Sequence, residues 1–219
     1  MTVHSRPAAA RVLPFAVYIA FLVVESAAGG ALDGRVLYLA QVVVVAALLA
    51  YFWRAYVELR PPLRVRAPEL ALGLAVGAAV FALWIHLDLP WARLGSGRGV
   101  APELTGGGAI AGFVVRVLGV VALVPIMEEL FWRSFLMRWL DRHDFLAVAP
   151  AAVTWRSLAL SSLVFGLEHH LWLAGIVAGV AFAWLYRRTG NLWIVVLAHA
   201  VTNALLEFWV VRTGNWQFL

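Results

Sequence analysis

The stretch VPIMEELFWRSFLMRW, residues 124–139, sets two adjacent carboxylates and an arginine inside a run otherwise as apolar as the interior of a membrane. Its reading decides whether the chain folds around water or around lipid. Of 219 residues, 63% are apolar and 13% charged, with eleven Trp and a mean hydropathy of +0.87. Water-soluble domains hold about 45–50% apolar residues, so the composition predicts an integral membrane protein. There is no Cys, which excludes disulfides, thiolate metal sites and thiol catalysis. All seventeen basic residues are Arg, a usage that points to a GC-rich, bacterial genome. In a soluble protein the net charge of +5 would suggest nucleic acid. Here the arginines punctuate apolar spans and orient them, so the expected partner is the lipid bilayer and no nucleic acid.

A helix needs about 20 apolar residues to cross a bilayer. On that rule spans are expected near 12–28, 36–57, 69–89, 108–139, 155–170, 171–188 and 191–211. The chain is then one integral membrane domain over 1–219: an all-α polytopic bundle of about seven to eight spans, an eighth being sought within 108–141. The first span ends in ESAAGGA, small residues like those before a signal-peptide cleavage site, but with further spans behind it a retained anchor is expected. The glycine-rich connector over 95–108 lacks the Gly-Lys-Ser/Thr of a P-loop. Counting arginines places Arg6, Arg11, Arg54, Arg60, Arg64, Arg66, Arg133, Arg138, Arg142, Arg156, Arg187 and Arg188 on the side of the N-terminus. Only Arg35, Arg93, Arg98 and Arg212 fall on the other. The N-terminal side is therefore expected to be cytoplasmic, in a bacterial inner membrane.

A rise of 1.5 Å per residue gives depths. Glu128 lies about 16 Å above Trp139, His169 about 20 Å along its helix from Arg156, and His199 about 14 Å from the turn at Gly190. Three ionisable groups from three helices thus reach one level near the middle of an apolar layer about 30 Å thick. Such groups are costly there and face a bundle interior or a polar cavity. Glu129 and Arg133, four apart, share a helix face and can pair. Glu128 points about 100° away. With a second carboxylate beside it in low dielectric, Glu128 is the better proton acceptor. Phe165 with His169, and His199 with Asn203, also share faces at four apart. Pro125 removes a backbone hydrogen bond three residues before Glu128, which can kink the helix and admit water.

Together, EELFWR, FGLEH and HAVTN, in that order and spacing over residues 128–203, resemble the three-motif signature of the CAAX protease and bacteriocin-processing family. Its members are also called type II CAAX prenyl endopeptidases or glutamyl intramembrane proteases. The motifs lie within 108–211, where the resemblance places the catalytic core. It implies a helix bundle with an intramembrane cavity, in which Glu128 and His169 activate a water for peptide hydrolysis. His199 and Asn203 polarise the scissile carbonyl and stabilise the oxyanion, while Glu129, Arg133 and Phe165 support the geometry. The implied substrate is a membrane-associated or lipidated peptide or protein. The chain also resembles the CAAX-protease-related proteins found with bacterial exosortase systems. The residue types suit the chemistry by themselves: hydrolysis of an amide needs an activated water, donors for the oxyanion and an acid for the leaving amine.

Other readings stand beside this one. Glu128, His169 and His199 are a ligand set that zinc accepts in hydrolases, although no His-Glu-x-x-His helix is present. A transporter or proton relay also buries Glu and His at midplane, and a noncatalytic protein that binds or retains a membrane peptide, as an immunity protein does, would need no catalytic carboxylate. Glu129 with Arg133 can merely hold helices, and His199 with Asn203 can be interhelical hydrogen-bond glue. Ser134, Ser161 and Ser162 are read as packing residues, Glu168 and His170 as rim residues, and Glu25, His86, Asp88 and Arg116 as span-end groups.

Overall fold

The computed structural model describes residues 7–60, 65–95 and 109–218. Arg6, Arg64, Arg98 and, apart from Gly95, the glycine-rich connector lie outside the described residues. The described residues form seven helices: α1 Pro7–Ala28, α2 Gly34–Tyr51, α3 Ala67–His86, α4, α5 Trp155–Leu167, α6 Trp172–Thr189 and α7 Leu192–Thr213. Helix α4 is continuous but not uniform. It runs as α-helix over Ala109–Leu118, widens to π-helix over Gly119–Leu123, returns to α over Val124–Glu129, widens again over Leu130–Leu136 and closes with Met137–Trp139. It is one helix, so the eighth span sought within 108–141 is not found among the described residues.

Among the described residues five helices are long and apolar enough to cross a membrane: α1, α2, α3, α4 over Ile110–Trp139, and α7. The expected count of seven to eight spans is thus borne out for five helices and left open for the rest. With 13 residues, α5 is about 20 Å long against an apolar layer of about 30 Å. In α6 the last turn carries Arg187 and Arg188, which dilute an otherwise apolar run. Half of the α7 window is buried, against 17% in each of the other four. Helix α7 is thus the most deeply buried of the five.

Glycine lets the helices pack closely. On α3, Gly73 and Gly77 form a small-xxx-small stripe that meets α7: a Cβ on Gly73 would stand 3.0 Å from Ile194 Cγ2, and one on Gly77 would strike the Ala198 carbonyl and sit 2.9 Å from Val201 Cβ. Thr202 Oγ1 donates to the Gly77 carbonyl at 2.9 Å. A second stripe, Gly175 and Gly179 on α6, meets Gly166 and Ser162 of α5. Gly77→Leu is expected to destabilise the protein by about 1–3 kcal/mol through overpacking, read as a lower melting temperature in detergent. A variant that melts with the wild type would mean α3 and α7 are not in contact there.

The end of the bundle near the start of α1 is closed by a buried ionic clasp. Arg11, fully buried, donates to Glu58 and, from Nε at 2.8 Å, to Ser134 Oγ. Ser134 in turn donates to Glu58. Arg138 NH1 reaches Glu58 Oε1 at 3.1 Å, while its Nε donates to the Val148 carbonyl at 2.8 Å. The clasp ties α1 and the α2–α3 connection to the last turns of α4. Of the arginines counted as loop charges, Arg11, Arg133 and Arg138 are thus buried, because each has found a partner inside. Ser134, read as a packing residue, is a member of the clasp.

Burial works against the Glu58 charge, but Arg11 and the hydrogen bonds from Ser134 and Arg11 outweigh it and hold the carboxyl below its ordinary range. A carboxyl depressed on folding stabilises the fold fully above its unfolded pKa, and that contribution is lost as pH falls through the folded value. Melting temperature in detergent is therefore expected to fall on the acid side, below the ordinary carboxylate range. Glu58→Gln should start lower and show a shallower acid-side fall; equal slopes in the two proteins would remove Glu58 from the account.

Candidate active site

Three helices deliver the predicted site residues. Glu128 and Glu129 close the middle α segment of α4, Arg133 lies in the π stretch that follows, Phe165 and His169 come from α5 and the turn after it, and His199 and Asn203 come from α7. Extra residues per turn widen a π-helix, and such stretches recur at functional sites. Glu128 and Glu129 both turn toward α7.

His199 is the hinge of the arrangement. Its Nδ1 lies 2.8 Å from Glu129 Oε1, so with the carboxylate as acceptor the Nδ1–H donates and Nε2 is turned the other way. That Nε2 stands 3.9 Å from Glu128 Oε2, too far for a direct hydrogen bond. Glu128 is 5% exposed, and its Oε2 has no hydrogen-bond partner among the described residues. Arg133 NH1 donates to Glu129 Oε1 at 3.1 Å, and its guanidinium lies over Phe165 at 4.3 Å and Phe182 at 5.4 Å. Phe182 also stacks on the His199 ring at 4.9 Å. The expected pair Glu129 with Arg133 is present, and it grips His199 as well.

His169 joins the group through an aromatic neighbour. Its Nδ1 is 2.7 Å from the Phe165 carbonyl, which makes Nδ1 the donor and frees Nε2. Its ring packs against Phe165 at 4.7 Å and edge-on to Trp84 of α3 at 5.3 Å. Phe165 in turn meets His199 at 6.3 Å. Asn203 is committed otherwise: its Nδ2 donates to the Val120 carbonyl at 2.9 Å. The reason lies in α4. In the first π stretch Val124 N–H bonds to Gly119 O, five residues back. The next donor in that pattern would be residue 125, which is Pro125 and has no N–H, so Val120 O is left for Asn203. Pro125, expected to open the helix, thus also recruits α7.

Three features escaped sequence reasoning. Glu168, placed at the rim, lies within electrostatic reach of Glu128 and Arg133. Arg116, read as a span-end group, instead pairs across the bundle with Glu207 of α7, Nε to Oε1 at 2.9 Å. Glu207 is four residues beyond Asn203 and eight beyond His199, a spacing that would have found it. Among the described residues no group of three His, Asp or Glu side chains stands out as a metal-binding cluster.

An all-α bundle of long apolar helices that enclose buried carboxylates and histidines has the character of a multi-pass membrane protein. Residues 110–205 match the family described as type II CAAX prenyl endopeptidase Rce1-like. Residues 110–205 thus form a domain of the Rce1-like type II CAAX prenyl endopeptidase family, a family of peptidases. No curated protein and no solved structure matches the chain.

Proposed function

We propose that the protein is an intramembrane endopeptidase that hydrolyses a peptide bond in a membrane-associated or lipidated peptide, using a water activated by Glu128 with His169. The observation that carries this reading is Glu128 itself: a buried carboxylate whose Oε2 lacks a partner and faces His199 Nε2 across 3.9 Å. A water or carbonyl oxygen between two polar groups at that separation contacts both.

In the proposed reaction Glu128 takes a proton from the water as its oxygen adds to the scissile carbonyl carbon. The proton then passes to the leaving amine as the C–N bond breaks. His169, held by its Nδ1–H on Phe165 O, presents Nε2 to the same water. His199, oriented by Glu129, donates from protonated Nε2 to the oxyanion, and Asn203 offers the second hydrogen of the amide it anchors on Val120. Glu129 and Arg133 hold His199 in place, as carboxylates that orient histidines do elsewhere. No step is routed through a metal.

The same reading places the protein in a bacterial inner membrane with its N-terminus cytoplasmic. Helices α5 and α6, too short or too charged to span alone, are embedded as a hairpin beside α4 and α7 and complete a bundle of seven membrane segments. The test is cleavage by the purified protein in detergent of a library of lipopeptides and membrane peptides, with Glu128→Ala in parallel, each with and without a chelator. Activity that vanishes in the variant and survives chelation supports the mechanism. Chelator sensitivity would replace it with metal chemistry, and a variant as active as the wild type would remove Glu128 from it. No cleavage by either protein would favour a noncatalytic peptide-binding role.

A further inference from the structure

Besides the clasp, the proposed chemistry leaves unused a half-buried ionic pair. On α7, His199, Asn203 and Glu207 follow one another at four-residue intervals and so form a single stripe. Each meets α4: His199 meets Glu129, Asn203 meets the Val120 carbonyl, and Glu207 meets Arg116. The last contact is a two-point fork, Nε to Oε1 at 2.9 Å and NH2 to Oε2 at 3.5 Å, which fixes direction as well as distance. Glu207 is 3% exposed. The α4 end of the fork is itself anchored, because Tyr38 of α2 donates to the Arg116 carbonyl at 3.2 Å. It can approach because residue 119 is Gly, where a Cβ would collide with the Tyr38 hydroxyl.

We propose that Arg116 and Glu207 are a positioning pair that sets the register of α7 on α4 and thereby holds His199 against Glu129. The inference rests on Glu128, Glu129 and His199 being the working site. A slip of α7 by one turn carries His199 about 5.4 Å along the axis, and Glu129 cannot follow because Arg133 holds it. Thr202 on Gly77 fastens α7 to α3, which bears none of the site carboxylates, whereas the fork fastens it to the helix that bears both.

The test combines kinetics with nitrogen-15 spectra of histidine-labelled protein in detergent, the His199 signal being assigned by its loss in His199→Gln. The variants are Arg116→Gln, Glu207→Gln, the neutral pair Arg116→Leu with Glu207→Leu, and the exchanged pair Arg116→Glu with Glu207→Arg. The single and neutral variants are expected to lower kcat about 10–100-fold, as misplacement of about 1 Å does, with KM little changed, and to shift the His199 Nδ1 resonance away from its Glu129-bonded position. The exchanged pair is expected to restore both. The neutral pair leaves no unpaired charge and is expected to fold even where the single variants do not. If it keeps the wild-type His199 resonance and kcat while its melting temperature falls, the pair is only structural and the proposal fails. If the wild type cleaves nothing, the function proposed above fails, and the His199 resonance still decides the positioning.

Discussion

Exchanging Glu128 for Gln is expected to lower the turnover of any peptide the protein cleaves by about 10²–10⁴-fold, the range a positioned acid–base group supplies, and to leave the fold at least as stable. The two halves of this expectation come from the same atom. Among the described residues Glu128 Oε2 has no hydrogen-bond partner and only His199 Nε2 at 3.9 Å, so its charge costs the folded state and gains little pairing in return. A neutral amide of the same shape relieves that cost and cannot take a proton. Turnover is read from single-turnover cleavage and stability from thermal melting in detergent. A loss of turnover accompanied by a large loss of stability would make Glu128 a structural group, and retained turnover would end its catalytic assignment.

Arg133→Met, five positions along the same helix, is expected to behave oppositely. Arg133 is 2% exposed and bonds Glu129 Oε1 at 3.1 Å and the Gly179 carbonyl at 3.5 Å. Its guanidinium also covers Phe165 and Phe182. Removing it strands Glu129 at 0% exposure with only His199 beside it. Breaking a buried pair from one side costs about 3–5 kcal/mol, or about 6–20 °C in melting temperature for a chain of this size. Activity should fall as well, since Glu129 then no longer holds His199 in one orientation. Methionine preserves apolar volume, so overpacking does not confound the reading. A variant that melts with the wild type would show that Arg133 and its ion pair with Glu129 are dispensable for the fold.

The contrast shows which parts of the site were legible in the sequence. Glu129 with Arg133, and Phe165 with His169, follow from four-residue spacing alone, because a helix places such residues on one face whatever surrounds it. Counting rise per residue brought Glu128 and His199 to one height. Height is not azimuth, however, and the count did not reveal that His199 stands between the two glutamates while His169 reaches the group through Phe165. Nor did it show Asn203 bound to Val120, which depends on a π stretch and a proline acting together.

Contacts between distant positions were hidden for another reason. Arg11 and Ser134 are 123 residues apart and Arg116 and Glu207 are 91 apart. No periodicity links them, and an arginine inside an apolar span looks the same whether it faces a loop, a lipid headgroup or a buried glutamate. The length of the fifth helix was not legible, because the apolar run over 155–170 does not announce that its helix stops at Leu167. The stripes GLAVG at 73–77 and GIVAG at 175–179 were readable signals of where α3 and α6 pack.

The segment that carries the family's signature is not the segment that can stand alone. Cut to residues 110–205, the chain would keep Glu128, Glu129, His169, His199 and Asn203, yet Arg138 would lose Glu58, Val201 would lose Gly77, and Arg116 would lose Glu207. Transplanting the signature into another bundle therefore requires carrying over its braces. Substitutions among the first hundred residues would be filtered by their fit to those braces, even where they touch none of the chemistry.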